Sequence, residues 1–163
     1  MASVLIDTNV LIRYFRGDEP FAELVETSES VIVHPVVYAE YMNGLDESKK
    51  SGKSLRRRLE EFLDAPPVVL ANVSTTTSLY YSKIYKALKD SGRMIPQNDI
   101  WIAASAIEKG YVLATHDEHF SQIPMLRLAE CREVLPRWWG LSGGVGVIAT
   151  AAAHVPPRPA CCH

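Results

Sequence analysis

Short apolar runs alternate with segments of helical periodicity, and this alternation limits the fold more than any other feature of the sequence. The apolar runs are typical of buried strands and cover residues 4–6, 31–33, 68–70 and 111–115. The predicted helices cover residues 8–16, 20–27, 35–44, 49–63, 74–91 and 98–109. Because helices join successive strands, crossover connections and parallel pairing are expected. The sequence therefore predicts an α/β fold, a three-layer α/β/α sandwich with a mainly parallel central sheet.

Residues with strong preferences for helix ends support these boundaries. Gly17 and Gly110 follow the last periodic residue of their helices, where a left-handed backbone conformation is common. Pro35 suits the first turn of the third helix because it has no N–H to satisfy. Asn98 is expected to cap the sixth helix with its side-chain oxygen.

Length and composition predict one folded domain followed by a tail. The chain has 163 residues, 47% of them hydrophobic, which is enough for a core without disulfides or a structural metal. No linker interrupts the pattern before residue 136, so we expect a single domain over residues 1–135. Residues 136–163 are rich in Gly, Ala and Pro and lack periodicity, and we expect a poorly ordered C-terminal tail.

Charge and cysteine content narrow the class of protein further. A formal net charge of -2 argues against a broadly basic nucleic-acid binder of the histone type, although it permits a local basic patch. The 3 cysteines are an odd number, which does not suit the disulfide framework of a secreted protein. Asp7 comes too early for a signal peptide, and the longest apolar stretch is shorter than the ~20 residues that span a bilayer. We therefore expect a cytoplasmic protein without a membrane segment.

Four acidic residues stand where a parallel sheet would bring them toward one edge. Asp7 ends the first predicted strand, Asp117 follows the fourth, and Asp99 opens the sixth helix. Glu40 interrupts the apolar stripe of the helix over 35–44, so we expect it on the face turned to the core. Each acid also has a structural explanation: a helix cap, a favourable interaction with the helix dipole, or a side chain that reaches solvent. No single one of these explains why all four lie toward the edge where parallel sheets bind ligands.

Four motifs in this order resemble those of PIN domains, and in particular of the VapC toxins of bacterial and archaeal toxin–antitoxin pairs. They are LIDTNVL at residues 5–11, AE at 39–40, NDIWIAA at 98–104 and ATHDEHF at 114–120. The resemblance covers residues 3–128 and implies that residues 1–135 form a PIN-like nuclease domain. It also implies a metal-dependent endoribonuclease whose acids hold Mg²⁺ or Mn²⁺. The resemblance places the catalytic and metal-binding roles on Asp7, Glu40, Asp99 and Asp117, with Thr115 and Asn9 as supporting residues.

The chemistry of four neighbouring carboxylates agrees with this implication. Four carboxylates in one cleft repel each other, and a hard divalent cation relieves the repulsion. Such a cation can also lower the pKa of a bound water and orient it for attack on a phosphate. We expect Asp7 and Asp99 to be the principal ligands, with Glu40 and Asp117 completing the shell directly or through water. Whether one cation or two would bind is left open.

Basic and histidine side chains near these motifs have two explanations each. Lys49, Lys53, Arg56 and Arg57 lie on one face of the fourth helix and are predicted to contact RNA phosphates, or else to form an ordinary solvated face. His116 and His119 flank Asp117; contact with RNA is one explanation, and we favour surface histidines in a loop.

The resemblance also implies partners: an RNA substrate, a cognate antitoxin protein and a second copy of the chain in a homodimer. Tyr14, Phe15, Phe21 and Leu24 are expected near the acidic mouth, where an amphipathic antitoxin segment could dock, or else in the core.

Alternative functions are a housekeeping PIN nuclease without an antitoxin and a non-catalytic RNA-binding module on the same fold. A phosphatase of the haloacid-dehalogenase kind, with Asp7 as its nucleophile, would need an Asp two residues later, where this chain has Asn9.

Overall fold

The computed structural model describes residues 3–129, and its centre is a four-stranded parallel sheet. The strands are β1 (Ser3–Ile6), β2 (Ser30–Val33), β3 (Val68–Leu70) and β4 (Val112–Ala114). Their order across the sheet is β3-β2-β1-β4, and all three pairings are parallel. In the register of the sheet, Leu5 lies between Ile32 and Leu113.

Within residues 3–129, six α-helices flank the sheet and connect its strands. They are α1 (Thr8–Arg16), α2 (Glu19–Thr27), α3 (Pro35–Asn43), α4 (Lys50–Leu63), α5 (Thr75–Asp90) and α6 (Gln97–Lys109). A short 3₁₀ helix, Glu118–Gln122, follows β4. The predicted α/β fold with a parallel central sheet is thus confirmed.

The two central strands are covered on both faces. Successive residues of a strand point to opposite faces, yet Leu5 and Ile6 are both fully buried, as are Val31 and Val33. Continuous burial of this kind is typical of parallel sheets with helices on either side. Because β1 and β4 are parallel neighbours, their carboxyl ends lie side by side above the buried core.

Local signals set most of the helix ends. Gly17 (φ 84) and Gly110 (φ 69) adopt the left-handed conformation after α1 and α6, as their positions predict. At the start of α4, a Cβ on Gly52 would lie 2.1 Å from the Asp46 carbonyl oxygen, so only glycine fits there. Pro35 occupies the first turn of α3, where the N-cap His34 accepts a hydrogen bond from the Val36 N–H.

The prediction that Asn98 caps α6 is wrong. The helix begins at Gln97, with Pro96 in the capping position and no side-chain cap. Proline fixes the backbone for the helix start by its ring, and the Asn98 amide inside the first turn donates instead to Glu40. The fourth strand is one residue shorter at each end than predicted. A parallel bridge between Leu113 and Leu128, which the sequence pattern did not reveal, follows it.

Two further sequence expectations concern the C-terminal tail and the absence of a membrane segment. The predicted tail at residues 136–163 lies outside the described residues. Within residues 3–129, no helix is long and apolar enough to cross a membrane.

Candidate active site

Asp7 follows β1 directly and is held on both carboxylate oxygens. It is the N-cap of α1, where Oδ1 accepts a hydrogen bond from the Thr8 N–H at 2.7 Å. Oδ2 accepts from the Asn9 amide at 2.6 Å and from the Thr115 hydroxyl at 2.7 Å. With a residue exposure of 6%, the carboxylate is nearly removed from water. Asp7 is therefore a helix cap and a fixed, buried acid at the sheet edge at the same time.

Thr115 joins the ends of β1 and β4 through its hydroxyl. While it donates to Asp7, the same oxygen accepts from the Asp117 N–H at 3.0 Å and lies 3.3 Å from the Asn9 amide nitrogen, which donates to it. The Asn9 side-chain oxygen in turn accepts from the His116 N–H. Both predicted supporting residues thus contact Asp7, and they fix the loop that carries Asp117.

Glu40 does not face the core, and that prediction is wrong. Val37 and Tyr41 of the predicted stripe are buried, but Glu40 is half-buried and lies toward the sheet edge. The Thr8 hydroxyl donates to its Oε2, and the Asn98 amide donates to its Oε1 at 2.7 Å. These hydrogen bonds hold Glu40 beside the first turns of α1 and α6.

Asp99 has the most perturbed carboxylate of the four. Its side chain is 14% exposed, and Oδ2 is buried without a hydrogen-bond partner among the described residues. Burial is the main cause that raises the pKa of Asp99 to about 6, together with the negative charges of Asp117, Asp7 and Glu40 in that order, and His119 opposes the rise. The structure therefore brings all four predicted acids within electrostatic reach of one another.

Burial is also the main reason why the pKa of Asp7 is raised. The hydrogen bonds from Thr115 and Thr8 oppose this rise, and the charges of Glu40 and Asp117 add to it. Buried carboxylates need a positive partner, and a bound cation can supply it. The hard oxygen donors and the unpartnered Asp99 oxygen fit a divalent cation such as Mg²⁺ or Mn²⁺.

His119 is exposed, as expected of a surface histidine, and its ring also reaches the cluster. Asp117 caps the 3₁₀ helix through its Oδ1, which accepts the His119 N–H at 2.9 Å. The His119 ring turns back, so that Nδ1 lies 3.0 Å from Asp117 Oδ1 and 3.8 Å from Asp99 Oδ2. The ligand atoms of these three residues lie within 4.8 Å of one another. The signal in the sequence was that His119 follows Asp117 by two residues, a spacing that a short helical turn brings into contact.

The predicted RNA contacts on α4 form surface ion pairs. These pairs are Lys49–Asp46 at 2.9 Å, Arg56–Glu47 at 3.1 Å, Arg56–Glu60 at 2.9 Å and Arg57–Glu61 at 3.5 Å. Lys53 is exposed on the same helix. Exposed pairs of this kind contribute little to stability and can rearrange when a phosphate approaches. Their role in RNA binding stays a prediction.

The aromatic residues expected near the mouth divide between the core and a groove. Phe21 is buried, and its ring lies 5.2 Å from that of His116. Tyr14 packs on Phe62 at 5.0 Å. Phe15 lines a groove of about 260 Å³ that also reaches Glu40.

Fold and site together define a class: a parallel α/β domain with a carboxylate cluster at the carboxyl edge of its sheet. The chain belongs to the PIN domain family, whose family model matches residues 4–126. The resemblance inferred from the four motifs is thereby confirmed.

Curated relatives and solved structures agree with this assignment. Ribonuclease VapC2 of Rickettsia felis is 28% identical over 130 residues, which are 76% of this chain and 94% of the relative. Ribonuclease VapC1 of Haemophilus influenzae strain R2866 is 31% identical over 129 residues, 76% and 93% of the two chains. Among solved structures, VapBC-1 from nontypeable Haemophilus influenzae aligns with a TM-score of 0.70 and 26% identity. The alignment covers 80% of this chain and 98% of the other.

Proposed function

We propose that this protein is a metal-dependent endoribonuclease and the toxin of a type II toxin–antitoxin pair. The observation that carries the proposal is the cluster of four carboxylates at one sheet edge, in which a buried oxygen of Asp99 lacks a hydrogen-bond partner among the described residues. Family membership supports it, because the relatives in Rickettsia felis and Haemophilus influenzae are named ribonucleases. We propose residues 1–135 as the nuclease domain and the cytoplasm, where the RNA would be, as its location.

We propose Mg²⁺ or Mn²⁺ as the cofactor. Asp7 and Asp99 would be the principal ligands, and Glu40 and Asp117 would complete the shell directly or through water. When bound, the cation would lower the pKa of a coordinated water and offset the charge that develops on the phosphate.

The protein's own contribution is to hold its acids ready before RNA arrives. Thr115 and Asn9 fix the orientation of Asp7. Thr8 and Asn98 fix both oxygens of Glu40. Because these side chains are already ordered, little reorganisation is needed in the reaction. We propose that Glu40 and Asp117 orient the attacking water and that one of these two carboxylates accepts its proton.

Substitution of one ligand tests the ribonuclease proposal. The Asp7→Asn variant keeps the shape of the side chain and removes its charge, and we expect it to lose RNA cleavage while its circular dichroism spectrum stays unchanged. A matched control is Asp64→Asn, at the exposed end of α4, which should cleave at the wild-type rate. If Asp7→Asn retained most of the wild-type cleavage rate, Asp7 would not be a ligand. If the purified wild-type protein left RNA intact with every divalent cation tested, a non-catalytic RNA-binding module would be the better account.

An antitoxin partner is proposed from the groove beside Glu40. Apolar side chains line this groove together with Arg16 and Glu40: Ile12, Phe15, Tyr41, Leu45 and Leu55. An apolar side chain of a partner would fill it, and an adjacent Arg or Lys would reach the Glu40 carboxylate. Solved structures similar to this chain include VapBC-1 from nontypeable Haemophilus influenzae, at 26% identity.

Growth measurements test the partner proposal. We expect expression of this chain alone to arrest bacterial growth. Co-expression of the antitoxin should restore growth, and the antitoxin should co-purify with this chain. Unimpaired growth, together with RNA cleavage in vitro, would instead indicate a housekeeping nuclease. The homodimer stays a prediction, which light scattering of the purified protein can test.

A further inference from the structure

His119 has an exposed side chain whose Nδ1 lies beside two of the acids. The backbone N–H of His119 donates a hydrogen bond to Asp117 Oδ1, and this contact closes the turn that directs the imidazole ring toward Asp117. Nδ1 then lies 3.0 Å from Asp117 Oδ1 and 3.8 Å from Asp99 Oδ2. The second distance is too long for a hydrogen bond, so Asp99 Oδ2 stays unpartnered within the described residues even with His119 beside it.

The spacing of these atoms suits ligands to a common ion, and the shorter distance also suits a hydrogen bond between His119 and Asp117. Two neighbouring ligands of one octahedral cation, each about 2.1 Å from it, lie about 3 Å apart. The distance between Nδ1 and Asp117 Oδ1 agrees with this value, and the distance to Asp99 Oδ2 is somewhat longer. All three ligand atoms belong to one cluster within 4.8 Å.

We propose that His119 is a nitrogen ligand of the catalytic cation, which makes this a mixed carboxylate–imidazole centre that selects Mn²⁺ over Mg²⁺. The proposal rests on the proposed function, because it presupposes that the four acids hold a cation. Its chemistry follows from the ligand types: Mg²⁺ prefers oxygen ligands, whereas first-row transition ions gain affinity from imidazole. The competing account is that His119 is only a positioning residue, which hydrogen-bonds Asp117 and never contacts the ion.

Pulsed electron paramagnetic resonance of bound Mn²⁺ separates these accounts without measuring activity. The full chain is loaded with Mn²⁺ alone, and coupling between the ion and an imidazole nitrogen is recorded. We expect this coupling in the wild-type protein, and we expect it to disappear in His119→Gln. The matched control is His116→Gln, which removes the other histidine of the same loop and should leave the coupling unchanged.

Calorimetric titration gives an independent measure of selectivity. We expect His119→Gln to weaken Mn²⁺ binding at least about tenfold, while Mg²⁺ affinity changes by less than about threefold. Equal losses for both ions, or Mn²⁺ bound to wild type without nitrogen coupling, would overturn the proposal for His119 and leave the nuclease proposal standing. Failure of wild type to bind either ion would overturn the proposed metal dependence as well. Because absence of the coupling in the wild type would overturn the proposal by itself, the proposal stays falsifiable even if the His119→Gln variant folds poorly.

Discussion

Replacing Asp99 by Asn should stabilise the cation-free protein although it removes a proposed ligand of the cation. In the folded protein, the Asp99 carboxylate is buried and lies near three other negative charges. Ionising it there is unfavourable compared with ionising it in the unfolded chain. Asn removes the charge, and its amide can donate to the neighbouring carboxylates. The variant should therefore be more stable than the wild type wherever Asp99 would be ionised.

The size of this effect follows from the pKa. Burial and neighbouring charges move the pKa of Asp99 from 3.8 to about 6, and each unit corresponds to about 1.4 kcal/mol. The largest gain is thus about 3 kcal/mol, and relaxation of the cluster would reduce it to about 1–3 kcal/mol. For a domain of this size, the melting temperature of Asp99→Asn should rise by about 3–10 °C.

The pH dependence of the gain has a definite sign. An acid whose folded-state pKa is raised destabilises the protein fully above that pKa, and not at all below the unfolded value. The stability difference between Asp99→Asn and wild type should therefore be present at pH 8, shrink as the pH falls through 6, and vanish below about 4. Thermal melts followed by circular dichroism in EDTA, across this range, measure it.

A cation should reverse the order of stability. We expect Mn²⁺ to bind the folded wild type and to raise its melting temperature, and we expect Asp99→Asn, which lacks a proposed principal ligand, to respond weakly. Glu26→Gln, on the exposed surface of α2, is the control for loss of a carboxylate charge and should match wild type in both conditions. A variant that is less stable than wild type at pH 8 in EDTA would refute the argument from charge repulsion.

Further substitutions test the hydrogen bonds and the basic helix. Thr115→Val removes the hydroxyl that joins Asp7 to the Asp117 loop, and we expect a loss of about 1–3 kcal/mol in stability and a slower cleavage step. Thr115→Ser keeps the hydroxyl and should retain most of both, so equal damage from Ser and Val would contradict the role of this oxygen. Neutralising Arg56, Arg57 and Arg58 together should weaken RNA binding and flatten its salt dependence, with little change in the rate at saturating RNA. An unchanged salt dependence in filter-binding measurements would assign these residues to the solvated face.

The sequence predicted the framework of the site because the relevant signals are local or topological. Periodicity and helix-end residues such as Gly17 and Gly110 act within a few residues of their position. Asp7 and Asp117 could be assigned to one edge because any parallel pairing of their strands brings them there. Neither inference needed the positions of individual side chains.

The errors concern side chains whose direction depends on distant contacts. Asn98 was expected as a helix cap, but its amide donates to Glu40, 58 residues earlier in the chain. Glu40 was expected to face the core, but Thr8 and Asn98 hold it at the edge. His119 is exposed, as the sequence predicts, but the contact of its ring with Asp117 and Asp99 was missed because the turn that directs the ring forms only with the folded 3₁₀ helix.

Metal removal and restoration in an RNA cleavage assay test the central claim most directly. The purified protein, freed of any bound inhibitor, is treated with excess EDTA, desalted and then supplied with Mg²⁺ or Mn²⁺. We expect internal cleavage of RNA to stop in EDTA and to return with either ion, and not to return in Asp7→Asn or Asp99→Asn. Cleavage that continues undiminished in excess chelator would contradict the claim that the carboxylate cluster acts through a cation.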